Sequence, residues 1–189
     1  LNKLQKIKPD IITLDIEMTG MNGLETLEKI KSMYSIPVVM LSSHSGEEMT
    51  ITSLEKGAID FIEKPINLKE INTNFTKELD LKIKSIVSKK EIVIDRTTTI
   101  QKTTSVFPHK IKAIVIGAST GGPNALMKLI KQIPSELKIP IFIVQHMPKG
   151  FTKSFSKRLN QESKREVVEA SEGEIIRPGV VYIAPGDFH

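Results

Sequence analysis

Residues 111–123 read I-K-A-I-V-I-G-A-S-T-G-G-P, a largely apolar run that passes through Gly117, Gly121 and Gly122 into a helix with Pro123 in its first turn. An apolar run without polar alternation reads as a strand buried on both faces, the pattern of a parallel sheet. Glycine permits the tight turn, and proline suits a helix start, where its missing N–H has no intrahelical acceptor to lose. Downstream the pattern continues as a helix over 122–133, a strand over 140–145 (P-I-F-I-V-Q), a helix over 150–162, a short strand near 166–169 and a strand over 180–183 (V-V-Y-I). Strands alternating with helices predict an α/β fold, its parallel sheet covered on both faces.

Upstream the same alternation appears a second time. Residues 11–15 (I-I-T-L-D) and 37–41 (P-V-V-M-L) read as strands, 59–62 (I-D-F-I) as another, and the opening residues as the end of a helix. Between them, 23–33 places Leu24, Leu27 and Ile30 on one helical face, and 46–57 reads as a helix ending at Gly57. Residues 67–87 space Leu68, Ile71, Phe75, Leu79 and Ile83 by three and four, a long amphipathic helix. From 89 to 110 the periodicity disappears into Lys and Thr, the composition of a linker. The expected organisation is therefore two α/β modules, 1–88 and 111–189, joined by 89–110. The chain opens on Leu1 and stops at His189 without a terminating signal, so both modules are expected to be incomplete.

Composition narrows the chemistry. A hydrophobic content of 39% is ordinary for a globular protein, and the absence of cysteine excludes disulfides, thiolate metal sites and a cysteine nucleophile. No apolar run approaches the roughly 18 residues of a membrane-spanning helix, and a soluble cytoplasmic protein is the expectation. Of the net charge of +5, residues 1–88 contribute 11 Lys/Arg against 13 Asp/Glu and the remainder 16 against 9, so the basicity sits in the second module. A basic half attracts any acidic partner, and charge alone does not choose among them.

Ligands of open parallel sheets bind at the carboxyl ends of the strands, and Asp15, Ser42 and Lys64 occupy those ends in the first module. A carboxylate can accept a phosphoryl group, a lysine can bind its oxygens as a point charge, and a hydroxyl can hydrogen-bond it. The arrangement D-I-E-M-T-G-M-N-G, then V-V-M-L-S-S, then A-I-D-F-I-E-K-P resembles the receiver domain of two-component response regulators. That resemblance implies a flavodoxin-like fold, Asp15 as phosphoacceptor, and Ser42 and Lys64 as the phosphate-sensing pair. It also implies Mg²⁺ held by Asp15 and the backbone carbonyl of Glu17. The family's acidic pair would precede Leu1, and Thr19 stands where the family usually has proline.

In the second module, Ser119 sits at the corner of Gly117-Ala118-Ser119-Thr120-Gly121, a G-x-S-x-G pattern. On the loop alone, a phosphate-cradling turn of a nucleotide-binding fold is the stronger reading. A hydrolase needs a base beside the serine, and His146 follows the next strand, whose carboxyl end lies beside that of the first. His44, His109 and His189 read more simply as surface or terminal residues. Together, G-A-S-T-G-G-P, F-I-V-Q-H-M-P-K-G-F-T and V-Y-I-A-P-G-D-F-H resemble the catalytic domain of the chemotaxis protein-glutamate methylesterases, the CheB family, which joins a receiver to this domain in this order.

The resemblance implies a Rossmann-like hydrolase module with Ser119 as nucleophile, His146 as general base and acid, and the Thr120 N–H as oxyanion donor. The family's triad acid would lie beyond His189, and Asp187 belongs to a different segment. The implied activity is phosphorylation-activated hydrolysis of glutamyl γ-methyl esters on chemoreceptors, with deamidation of receptor glutamines by the same acyl-enzyme route. The implied partners are those receptors and a histidine kinase as phosphodonor, with no cofactor for the ester step. Nucleic acid is not expected as a partner, since the second module opens on a buried strand instead of a helix-turn-helix and its lysines are scattered. The receiver is expected to cover the Ser119 cleft until Asp15 is phosphorylated. The rival is a receiver-linked module that binds a nucleotide or other ligand without hydrolysing anything.

Overall fold

A computed structural model describes residues 1–43, 46–65, 74–88 and 111–188. The expected linker over 89–110 lies outside the described residues, as do His44, His109, His189 and the first part of the helix foreseen over 67–87. The first module comprises α1 (Asn2–Lys6), β1 (Ile12–Asp15), α2 (Gly23–Met33), β2 (Val38–Ser42), α3 (Glu47–Glu55), β3 (Asp60–Glu63) and α4 (Asn74–Ser88). The second comprises β4 (Ile114–Ala118), α5 (Gly122–Gln132), β5 (Ile141–Gln145), α6 (Phe151–Glu162), β6 (Val167–Glu169) and β7 (Val181–Ile183).

Both sheets are wholly parallel. The first runs β1-β2-β3 with Ile12 opposite Val38 and Val39 opposite Asp60, and the second runs β4-β5-β7-β6 with Ile114 opposite Ile141. The parallel α/β modules read from the pattern, and the flavodoxin-like and Rossmann-like classes that the resemblances imply, are therefore what the chain adopts. Local signals account for most boundaries. Asn22 caps α2 by accepting from the Glu25 N–H at 2.8 Å, and Gly57, at φ +100°, turns the chain out of α3.

Two expectations change. The strand foreseen over 111–117 begins at Ile114, because its partner strand starts after Pro140: the Ile114 N–H donates to the Pro140 carbonyl at 3.1 Å and no earlier rung forms. The second sheet is also not covered on both faces among the described residues. Ile114, Ile116 and Ala118 pack on the core, whereas Val115 on the opposite face of β4 is 73% exposed.

The two modules share one core. A single cluster of buried side chains runs from Leu14, Leu27, Leu54 and Phe61 into Leu126, Ile143, Phe151 and Leu159. At its centre the rings of Phe61 on β3 and Phe151 on α6 stack with centroids 4.7 Å apart. Around it, Glu55 on α3 pairs with Arg158 on α6, and the Ser154 hydroxyl donates to Glu47 at 3.2 Å.

Candidate active site and phosphoacceptor site

Asp15 ends β1 and lies in register with Leu41, one residue before Ser42, so the parallel pairing brings the three sheet-end residues into one neighbourhood. The loop after Asp15 is shaped by two glycines. Gly20 has φ +84°, and Gly23 packs on the backbone of Asp15 and Ile16, its N–H donating to the Ile16 carbonyl at 3.0 Å, where any side chain would collide. Lys64 reaches across from the end of β3 and places its ammonium 2.7 and 2.8 Å from the two Asp15 carboxylate oxygens. The Glu17 N–H donates to Asp15 at 3.0 Å, and the Glu17 carboxylate accepts from Ser43 at 2.9 Å.

Ser42 is wholly buried, and its hydroxyl is engaged 2.5 Å from that of Thr50 on α3, not with Asp15. Thr50 in turn donates to the Gly46 carbonyl at 2.7 Å. No cluster of three or more His, Cys, Asp or Glu ligands occurs among the described residues. The part-exposed Asp15 carboxylate is the kind of oxygen ligand that suits a Mg²⁺ ion which keeps most of its waters and takes further oxygens from a phosphoryl group, so it fits that ion as one part of its shell.

In the second module β4 leads directly into the turn that opens α5. The Gly122 N–H closes that turn on the Ser119 carbonyl at 2.7 Å, and Gly121 takes φ +74°, a conformation that L side chains rarely adopt. Ser119 and His146 follow the last paired rung, Ala118 opposite Gln145, and both are exposed. The His146 N–H donates to the Ala118 carbonyl at 3.0 Å, so serine and histidine leave neighbouring strand ends. The N-terminus of α5 points its N–H groups and positive dipole end at this corner.

The loop carrying His146 is held from below by the A-P-G-D segment. A Cβ on Gly186 would come within 2.5 Å of the Pro148 carbonyl group, and the Gly186 N–H donates to the Thr152 hydroxyl at 2.9 Å. Asp187 is exposed, has φ +68°, and makes no hydrogen bond to His146 among the described residues. It lies in a turn where the Phe188 N–H donates to the Pro185 carbonyl at 3.1 Å.

Ser119 is exposed, and among the described residues the first module does not cover it as expected. It grips the elbow from the glycine side instead: the Gly121 N–H donates to Asp60 at 3.3 Å, and Asn124 on α5 donates to the Ala58 carbonyl at 2.6 Å. Asp60 is 2% exposed and ion-paired with the also buried Lys82 at 3.1 Å, while Lys82 also donates to the Phe61 carbonyl at 2.6 Å. Sequence reading passed over Asp60, Thr50 and Gln145. Their signals were faint: a carboxylate inside the apolar run I-D-F-I, a threonine on a helix, and a glutamine at an inward-facing strand position.

The CheB methylesterase family model matches residues 114–189 and the response regulator receiver domain model matches residues 1–76. A protein-glutamate methylesterase/protein-glutamine glutaminase of Clostridium acetobutylicum is 46% identical over 195 residues, covering all of this chain and 56% of its own length. A protein of the same description from Bacillus subtilis is 44% identical over 201 residues, covering 98% of this chain and 56% of its own. The chain thus spans about half the length of the curated relatives it matches. Among solved structures, the CheB methylesterase catalytic domain of Thermotoga maritima is 53% identical over 43% of each chain, with a TM-score of 0.40.

Proposed function

We propose that this chain, whose two halves match the response regulator receiver and CheB methylesterase family models, supplies the receiver and nucleophile segments of a phosphorylation-activated protein-glutamate methylesterase. The observation that carries the reading is the placement of Ser119 and His146 at neighbouring strand ends, beside the N-terminus of α5. His146 takes the proton of Ser119 as its oxygen attacks the carbonyl of a glutamyl γ-methyl ester. The resulting oxyanion accepts from the Thr120 N–H, an interaction whose loss costs about 2.7 to 4 kcal/mol in a comparable hydrolase. His146 then protonates the departing methanol, and water attacks the acyl-enzyme to release glutamate and free Ser119. With glutamine as substrate, ammonia leaves in place of methanol. This step needs no cofactor.

Residues 1–88 act as the receiver, 89–110 as the linker and 111–189 as the hydrolase segment. Asp15 accepts the phosphoryl group from a histidine kinase, Lys64 moves onto its oxygens, and Ser42 leaves Thr50 to hydrogen-bond it. Asp15 and the Glu17 carbonyl would hold Mg²⁺, which would supply charge neutralisation at that group. The added charge, roughly −1.5 to −2 for a phosphoryl group, weakens the grip of the first module on the elbow. Methylated chemoreceptors are the substrate, and the protein works in the cytoplasm without binding nucleic acid. Among the described residues no helix is long and apolar enough to cross a membrane.

The test is labelling of the full-length protein with a serine-directed fluorophosphonate, with and without acetyl phosphate and Mg²⁺, followed by peptide mapping. Modification at Ser119 that accelerates on phosphorylation is expected, and is lost in Asp15→Asn. A Ser119 that stays inert in every state removes the hydrolase reading.

A further inference from the structure

Gln145 is the last residue of β5, 5% exposed, and faces inward with Ile141 and Ile143. Its side-chain amide nitrogen lies 3.2 Å from the Ser119 carbonyl oxygen and 3.1 Å from the His146 carbonyl oxygen. One NH₂ group therefore spans the backbones of the two residues that carry the proposed chemistry. The orientation of the amide is fixed by its surroundings: exchanging oxygen and nitrogen would set the side-chain oxygen against two carbonyl oxygens and lose both donors. We infer that Gln145 is a positioning residue for the ester hydrolysis proposed above, tying the nucleophile's turn to the base's loop beyond the point where strand pairing ends.

Three features support this. The last backbone rung between the strands is Ala118 opposite Gln145; past it the His146 N–H still donates to the Ala118 carbonyl at 3.0 Å, but no β4–β5 pair includes Ser119 itself. The Gln145 oxygen is buried and has no hydrogen-bond partner among the described residues, an arrangement that an apolar side chain of the same shape would avoid. A polar residue that costs stability where it stands has its use in what its donors hold. The third glycine of the elbow follows from the same residue: a Cβ on Gly122 would run into the Gln145 side-chain oxygen and come within 2.9 Å of the Ala118 Cβ. Gln145 and Gly122 therefore act as a pair, the small residue admitting the amide to the underside of the turn. A misplacement of about 1 Å between reacting groups can lower a rate on the order of 100-fold, so a tie at this point bears on rate more than on binding.

The test is Gln145→Met in the full-length protein, which keeps length and volume and removes both donors and the orphaned oxygen. Three quantities are read: the melting temperature, the inactivation rate and half-saturation concentration for fluorophosphonate at Ser119, and hydrogen exchange of the Gly122 and His146 amides. The expected result is an unchanged or higher melting temperature, a maximal inactivation rate lowered roughly 10- to 100-fold at unchanged half-saturation, and faster exchange of both amides. Gln145→Glu is expected to regain activity relative to the wild type as pH falls, because a protonated carboxyl restores one donor. An inactivation rate within twofold of the wild type, or exchange that does not change, overturns the inference. If the wild-type Ser119 is itself inert, the hydrolase reading falls by that result alone, and unchanged or accelerated exchange still decides whether Gln145 ties the two segments.

Discussion

The stacked pair Phe61 and Phe151 joins the modules, and a double-mutant cycle on it measures how far the two modules fold as one body. Both rings are essentially inaccessible, at 1% and 0% exposed, and their centroids lie 4.7 Å apart at an interplanar angle of 29°. Truncation to alanine at either position is expected to cost about 3 to 5 kcal/mol, enough to unfold a marginal protein. Leucine is the better probe, since it keeps an apolar side chain and removes only the ring. Each single change lowers stability, and the cycle Phe61→Leu, Phe151→Leu and the double variant isolates the ring-to-ring term, about 0.5 to 1.5 kcal/mol. At roughly 2 to 4 °C per kcal/mol for a chain of this size, that coupling is resolvable in melting temperature. Urea unfolding followed by far-ultraviolet circular dichroism and by a probe in the second module reports cooperativity on the same samples. The shared core predicts coincident transitions in the wild type and a separation of the two in the double variant. Additive effects within about 0.3 kcal/mol, with two independent transitions already present in the wild type, would refute the reasoning.

Asn124→Ala removes the donor that holds α5 to the Ala58 carbonyl, so fluorophosphonate labelling of Ser119 in the absence of phosphodonor should rise, and the gain on phosphorylation should shrink. Gly186→Ala forces a Cβ against the Pro148 carbonyl group and should shift the loop that carries His146; labelling slows while phosphorylation of Asp15 from acetyl phosphate proceeds as in the wild type. Glu162 is held below the usual carboxylate range by the hydrogen bond from Lys131, 2.5 Å away, assisted by the charges of Lys131 and Arg158 against the opposing effect of burial. Its contribution to stability is therefore complete above the ordinary value of 4.5 and is lost as pH falls through the lower folded value. Glu162→Gln should flatten the acid limb of a melting-temperature profile below that pH and leave the neutral plateau with little slope; an acid limb as steep as the wild type's counts against the pairing.

Local signals were enough for the fold class. The apolar runs are too continuous for half-buried strands, glycine and proline punctuate the helix ends, and periods of three and four mark the helices, so two parallel α/β units follow from residues that are neighbours in the chain. The same locality placed Asp15, Lys64, Ser119 and His146 at strand ends, because in a parallel sheet the end of a strand is a position along the sequence. Contacts between distant segments leave no such mark. That Ser42 turns to Thr50, that Asp60 accepts from the elbow, and that Gln145 reaches the carbonyls of Ser119 and His146 depend on side-chain direction and on which helix lies over which strand. Phe61 and Phe151 carry an ordinary core signature in sequence. Only the tertiary packing that sets Phe61 against Phe151 decided that the two hydrophobic faces bury one another, since burial is non-directional and an apolar face does not specify its partner.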